Sequence, residues 1–232
     1  FRLPTAAEPP TRVALPLNGR WEICRHDERL PGDVAAPIQD FPAAPRWTAI
    51  DVPGDKNQRD DLVFAHRLWY RTRVHVPETL ADRSMILVFP ANNLNTTIYV
   101  NGQLCGFDKN PFARLQFDVT KAVRPGVNEL WVGIKDGWYG YQADPGDPLK
   151  LRRRWNLPLK FFSNGFQELV YPIWNQTLMG IVGTPQWIAA GPVYTADVFC
   201  KPSVANKQLG VEIAIQNNRS DVRQARMLVE AV

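Results

Sequence analysis

Short runs of alternating apolar and polar residues recur along the chain, and their period is that of β-strands. Leu68-Trp-Tyr-Arg-Thr-Arg-Val-His-Val76 alternates bulky apolar with basic or polar residues. This predicts a strand with one face packed inward and with Arg71 and Arg73 facing elsewhere. Ser84 to Pro90 is a nearly continuous apolar run, as expected of a strand covered on both faces. In Thr96 to Val100 the residues Thr97, Tyr99 and Asn101 fall on one face, and Thr96, Ile98 and Val100 on the other. Asn101-Gly102 then interrupts the run before Gln103-Leu-Cys-Gly106 resumes it. An Asn-Gly pair between strand-like segments is the strongest short-range signal for a hairpin, because both turn residues must adopt positive φ.

The same reading extends in both directions. Phe1 to Pro16 is rich in Pro and Ala and reads as an extended lead-in, with the fold starting near Leu17. Trp21 to Arg25 is a strand, and Pro31 to Pro45 a long loop. Trp47, Ile50 and Val52 alternate toward a strand end at Val52-Pro53-Gly54. Later strands are expected over Phe112 to Val119, Glu129 to Lys135 and Trp187 to Ala189. Short strands separated by turn signals point to an all-β fold, a β-sandwich of the jelly-roll kind.

Two regions depart from this rhythm. Gly137 to Gly191 is long, aromatic and interrupted by proline, and so long a segment is usually functional or holds elements of its own. Beyond it, Val193 to Lys201, Gln208 to Gln216 and Arg226 to Val232 read as about three strands, too few for a sandwich. The expected organisation is a lead-in over 1–16, a sandwich over 17–192, and the first strands of a truncated second β domain over 193–232.

Composition agrees with this picture. The 232 residues are 45% hydrophobic, with 8 Trp and 11 Phe to fill a core, so disorder is not expected for most of the chain. Twenty prolines and 15 glycines oppose long helices. The formal charge of +4 comes from interspersed charges, and no nucleic-acid partner is implied. Lys150-Leu-Arg-Arg-Arg154 could contact phosphates, but in a proline-rich segment it reads as solvated.

Cys24, Cys105 and Cys200, like His26, His66 and His75, lack ligand spacing, so neither a metal nor another cofactor is expected. No apolar run approaches the length that spans a bilayer, and no membrane partner is expected. The chain has no initiator Met and no signal peptide, which fits a trimmed sequence. The compartment stays open, with a periplasmic or extracellular setting favoured over a cytoplasmic one.

An ordered series of motifs carries a resemblance. The series runs Leu17-Asn-Gly-Arg-Trp21, Val52-Pro-Gly54, Trp69-Tyr-Arg71, Thr97 to Gly106, Phe117-Asp-Val-Thr120, Gly126-Val-Asn-Glu-Leu130, Asp136-Gly137, Gly180-Ile181 and Trp187-Ile188. It resembles the start of family 2 glycoside hydrolases of the β-galactosidase and β-glucuronidase kind. Their first domain is a non-catalytic, galactose-binding-like jelly roll. Pro192 to Pro202 resembles that family's crossing into an immunoglobulin-like domain.

The resemblance implies that a later barrel supplies the two carboxylates of a retaining β-glycosidase. No catalytic residue is therefore assigned to this chain, and the fragment alone is expected to be inactive. Asn128-Glu129 superficially resembles an acid/base motif, but it lies at a turn-to-strand junction and reads as structural.

Seven residues are candidates for substrate contact. Asp136 matches a position where galactosidase-like members carry a sugar-contacting Asp, and a carboxylate there could accept hydrogen bonds from hydroxyls. The alternative is an ordinary Asp-Gly turn. Asp55 and Asn57, after Pro53-Gly54, occupy a second loop that could face a sugar or simply form a turn. Trp138, Tyr139, Trp155 and Trp174 lie in the long aromatic segment, where flat rings could stack on pyranose faces or pack into a core. Relative to the family pattern, the stretch from Tyr141 to Thr177 is enlarged.

Three readings stay open. The leading one is the N-terminal part of a family 2 glycoside hydrolase, whose partners would be a carbohydrate and the catalytic barrel of the same polypeptide. The others are a stand-alone carbohydrate-binding module and a purely structural or dimerising sandwich, so that a homo-oligomer is left open. Asn95, Asn175 and Asn218 each begin a glycosylation sequon, to which no function is attached.

Overall fold

The structure is a computed structural model, and it describes residues 1–4, 11–26, 36–62, 65, 67–93, 95–110, 113–135, 141–144, 147–153, 179–221 and 224. Residues 93, 141–144 and 147–153 are described by backbone alone. The strands are β1 (Arg12–Pro16), β2 (Gly19–Arg25), β3 (Thr48–Val52), β4 (Arg67–Val76), β5 (Ser84–Phe89), β6 (Asn92–Asn93), β7 (Asn95–Val100) and β8 (Gln103–Asp108). They continue with β9 (Leu115–Asp118), β10 (Gly126–Lys135), β11 (Tyr141–Asp144), β12 (Asp147–Arg153), β13 (Gly180–Ile181), β14 (Gln186–Ala190), β15 (Val193–Ser203) and β16 (Gln208–Asn217).

Two antiparallel sheets form an all-β sandwich. The larger has six strands in the order β3-β2-β4-β10-β7-β8, and the smaller four in the order β1-β14-β5-β9. Alternation decides which side chains enter the space between them. Leu68, Tyr70, Val74 and Val76 of β4 and Leu130, Val132 and Ile134 of β10 meet Leu87, Phe89, Phe117 and Trp187 of the smaller sheet in one buried core. Arg71 and Arg73 project from the opposite face, as the pattern over 68–76 predicts. Both faces of β5 are buried.

The opposite face of the large sheet is also covered, because part of the long loop before β3 folds onto it. Ile38 N donates to Thr97 Oγ1 at 3.0 Å, and the Tyr99 hydroxyl donates to Ile38 O at 3.0 Å. Phe41 stacks on Trp69 with ring centroids 4.8 Å apart. A methyl at Gly133 would lie 2.9 Å from the Trp69 ring and 3.0 Å from Ile38, so only glycine lets the cover sit this close.

The Asn101-Gly102 turn has φ of 51° and 81°, and β7 and β8 pair across it as expected. The Asn101 carboxamide also reaches the next turn, donating to Asn128 Oδ1 at 2.8 Å and Ala122 O at 2.9 Å. Asn128 is fully buried, accepts from Arg124 N at 2.9 Å and donates to Arg124 O at 2.7 Å. Its side chain builds the turn before β10. Glu129 lies beside Arg71 and Arg73, at 3.9 and 4.0 Å.

The lead-in expected over 1–16 needs correction. Arg12–Pro16 is a strand that pairs with β14, and Leu3 is fully buried with its N–H on His75 O at 3.0 Å. Proline conceals this strand in the sequence, yet at the end of an edge strand it removes no essential ladder bond. Two other strands shift their bounds. Leu115–Asp118 is shorter than the expected 112–119, and β10 begins at Gly126 rather than Glu129.

At the end of the described chain β15 and β16 form a long hairpin. Val198↔Ile213, Cys200↔Val211 and Pro202↔Leu209 are directly opposite pairs and therefore share one face, on which Val198 and Leu209 are more than half exposed. The third strand expected over Arg226 to Val232 lies outside the described residues.

Candidate functional site

The loop after β3 is built around Asp55. Val52-Pro53-Gly54 ends the strand, and a 3-10 turn over Lys56–Gln58 follows. Asp55 Oδ1 accepts from Asn57 N at 3.0 Å, capping that turn, and from Met179 N at 3.1 Å. Gly54 N donates to Ile181 O and Lys56 N to Met179 O, both at 2.9 Å. The Asp55–Asn57 loop is thereby sewn to β13, which pairs in turn with β6. Both residues are half-buried.

Two buried groups, one in this loop and one beneath it, are not singled out by any sequence motif. Lys56 is buried, and its Nζ donates to Leu62 O at 2.7 Å. Tyr70, also buried, places its hydroxyl under Gly180, and among the described residues that hydroxyl has no hydrogen-bond partner. Burial, and secondarily the charge of Asp55, push its pKa well above the ordinary tyrosine value, with Arg59 opposing.

A second polar group closes the end of β10, immediately before Asp136. Lys135 stands opposite Arg67 of β4 on one side and Asn95 of β7 on the other, and all three are buried. Lys135 Nζ donates to Ala36 O, and Arg67 forms an ion pair with Asp40. His26 Nε2 lies 2.8 Å from the same carboxylate, while His26 N donates to Arg67 O at 3.0 Å. Buried cations persist where carboxylates and carbonyls take up their donors, and this row fixes the strand end from which residue 136 departs.

Of the seven sequence candidates, Asp55 and Asn57 are brought together in one capped turn. Asp136, Trp138, Tyr139, Trp155 and Trp174 lie outside the described residues, as does most of the enlarged 141–177 segment. Of that segment the described backbone forms a hairpin, in which Tyr141 is opposite Arg153 and Asp144 opposite Asp147. Lys56, Arg67, Lys135, Asp40 and His26 were not anticipated. The only local hint is that Lys56 follows Pro53-Gly54 and that Lys135 precedes Asp136-Gly137.

The sequon at Asn95 belongs to a buried side chain. No disulfide joins the three cysteines, of which Cys24 is buried, Cys105 half-buried and Cys200 exposed. The Asn128 side chain is taken up by the turn, and Glu129 lies beside Arg71 and Arg73.

Residues 48–145 match the family model described as glycosyl hydrolase 2 galactose-binding domain-like, a stretch that holds both the Asp55 loop and the end of β10. A curated protein of Formosa agariphila, named "Putative beta-glucuronidase", is 25% identical over 97 residues, which cover 40% of this chain and 12% of that protein. Among solved structures, a beta-glucuronidase of an uncultured Clostridium species aligns over 93% of this chain and 36% of its own, with a TM-score of 0.59 and 19% identity. A beta-glucuronidase of Ruminococcus gnavus solved in complex with D-glucuronic acid aligns over 91% of this chain and 36% of its own, with a TM-score of 0.63 and 17% identity. The likeness of these structures is one of fold. This chain spans about a third of their length.

Proposed function

We propose that this chain, which carries a galactose-binding-like sandwich of the glycosyl hydrolase 2 type, serves as a non-catalytic part of a β-glycosidase. The observation that carries the proposal is the match over 48–145, which includes the Asp55–Asn57 loop and Asp136, the candidate the family resemblance suggests. In this reading the parent protein hydrolyses a β-linked sugar with retention. Its acid and its nucleophile come from a barrel elsewhere in the same polypeptide. A β-glucuronide is the favoured substrate class, because the similar solved proteins are beta-glucuronidases and one is bound to D-glucuronic acid.

Within this scheme Asp136 accepts hydrogen bonds from the sugar, with Trp138, Tyr139, Trp155 and Trp174 as stacking candidates. Asp55 and Asn57 hold the neighbouring loop in shape. The rigid row Arg67, Lys135 and Asn95 supports the reading, since a contact made from a strand end is only as well aimed as that end. The β15–β16 hairpin begins a second, immunoglobulin-like unit over 193–232, and the shared face of Val198, Ile213, Cys200, Val211, Pro202 and Leu209 is one wall of its core.

Calorimetry against glucuronate, galactose and glucose separates this role from that of a stand-alone carbohydrate-binding module. A supporting loop without its barrel gives no measurable heat with any of them at a sugar concentration of about 1 mM. Saturable heat that disappears with Trp138→Ala or Trp155→Ala would establish the binding-module reading instead.

A further inference from the structure

The β15–β16 hairpin leaves the sandwich after only Gly191 and Pro192, and a connection this short could act as a hinge. Two contacts oppose that. Asn218, just past the end of β16, donates from its backbone N to Pro192 O at 2.9 Å. Its side-chain Nδ2 reaches Asp118 Oδ2 at 2.8 Å, Ser84 Oγ at 3.0 Å and Thr120 Oγ1 at 3.5 Å. These acceptors are themselves held in place. Asp118 Oδ1 accepts from Thr120 N at 2.9 Å, Thr120 Oγ1 accepts from Met85 N at 2.9 Å, and Ser84 is buried.

The second contact is apolar. Tyr194, at the start of β15, packs on Ile86, Val88, Ile188 and Ala190, which form a small cluster on the face of the four-stranded sheet that points away from the main core. Between the hairpin end and the sandwich there remains an open cleft of about 640 Å³, with Lys121 and Leu104 on one wall and Gln216 and Arg219 on the other. Among the described residues, Asn218 and Tyr194 attach the hairpin near this end.

We infer that Asn218 and Tyr194 form a fixed joint that sets the angle between the sandwich and the hairpin, and so the direction in which the hairpin's apolar face is presented to the rest of the second β unit. Units joined by a short connection and a small interface ordinarily move relative to one another. Here a carboxamide held by three acceptors and an aromatic plug remove that freedom. The same geometry gives the Asn218-Arg-Ser220 sequon a structural use, because Nδ2 is the atom a glycan would occupy.

The test places spin labels on Cys200 and on Lys121→Cys in a Cys105→Ser background and measures the distance distribution between them. A single narrow distribution is expected, broadening about twofold in the Asn218→Ala/Tyr194→Ala double variant if the joint governs the motion. Asn218→Asp keeps the side-chain size, removes the donor and faces Asp118 with a like charge. It is expected to broaden the distribution while the melting temperature of the sandwich stays unchanged, and it carries the test should the double variant fail to fold. A broad distribution in the parent chain, or an unchanged width in Asn218→Asp, would overturn the joint.

Discussion

A Cβ added at Gly180 would stand 2.5 Å from the Tyr70 hydroxyl oxygen and 3.1 Å from Gly54 O. Gly180 also has a φ of +127°, a conformation that residues with a side chain rarely adopt. Tyr70 reaches this point from within the core, so the backbone crossing above it must be bare. Gly180→Ala combines backbone strain with overpacking and is expected to cost about 3 kcal/mol. Urea unfolding followed by tryptophan fluorescence would register this as a lowered midpoint with an unchanged slope.

The Tyr70 hydroxyl supplies a pH dependence. Its folded pKa is raised by burial first and by the Asp55 charge second. Folded and unfolded chains therefore bind the same protons below the ordinary tyrosine pKa of 10.0, and above it the folded chain binds more. The contribution of Tyr70 is fully present below pH 10 and is lost as pH rises beyond it. Tyr70→Phe should leave stability at pH 7 unchanged or slightly higher, since the hydroxyl has no partner among the described residues, and should flatten the alkaline decline. Thermal melts from pH 8 to about 11 provide the comparison.

Asp55 has a measurable structural role whether or not a sugar approaches it. Its Oδ1 serves both Asn57 N and Met179 N, so Asp55→Ala leaves two backbone donors to find other partners. A loss of about 1.5 kcal/mol is expected, most of it recovered by Asp55→Asn, which keeps the acceptor oxygen. Equal losses for the two variants would show that the charge, and not the cap, matters.

Asn128 tests the separation of structure from catalysis. It is buried and bonded to Arg124, Gly126 and Asn101, so Asn128→Ala should destabilise by about 3 kcal/mol. Glu129→Gln, whose partners Arg71 and Arg73 stand near 4 Å, should shift stability by less than about 0.5 kcal/mol. A pair of chemical denaturation curves decides both values.

How far the sequence discloses this molecule depends on the range of the interaction. The Asn101-Gly102 hairpin and the strand over 68–76 were legible because turn chemistry and alternation are local. The cover formed by Ile38 and Phe41 was not, because it meets Thr97, Tyr99 and Trp69 across long sequence separations and leaves no periodic trace. Strand β1 was hidden by its proline-rich neighbourhood. Arg67 and Lys135 were missed because charged residues read as exposed until a partner is known. The Asp55–Asn57 loop was placed correctly after Pro53-Gly54, but its capping geometry needed Met179, more than a hundred residues away.

In the proposed role, this sandwich supports glycoside chemistry without performing it. The most direct measurement is release of p-nitrophenol from the β-glucuronide and β-galactoside by the purified 232-residue chain. No release above the uncatalysed rate is expected at any pH from about 4 to about 8, the range in which a carboxylate acid/base pair would work. Turnover that follows the protein through purification and is abolished by a single Asp or Glu substitution within this chain would contradict it.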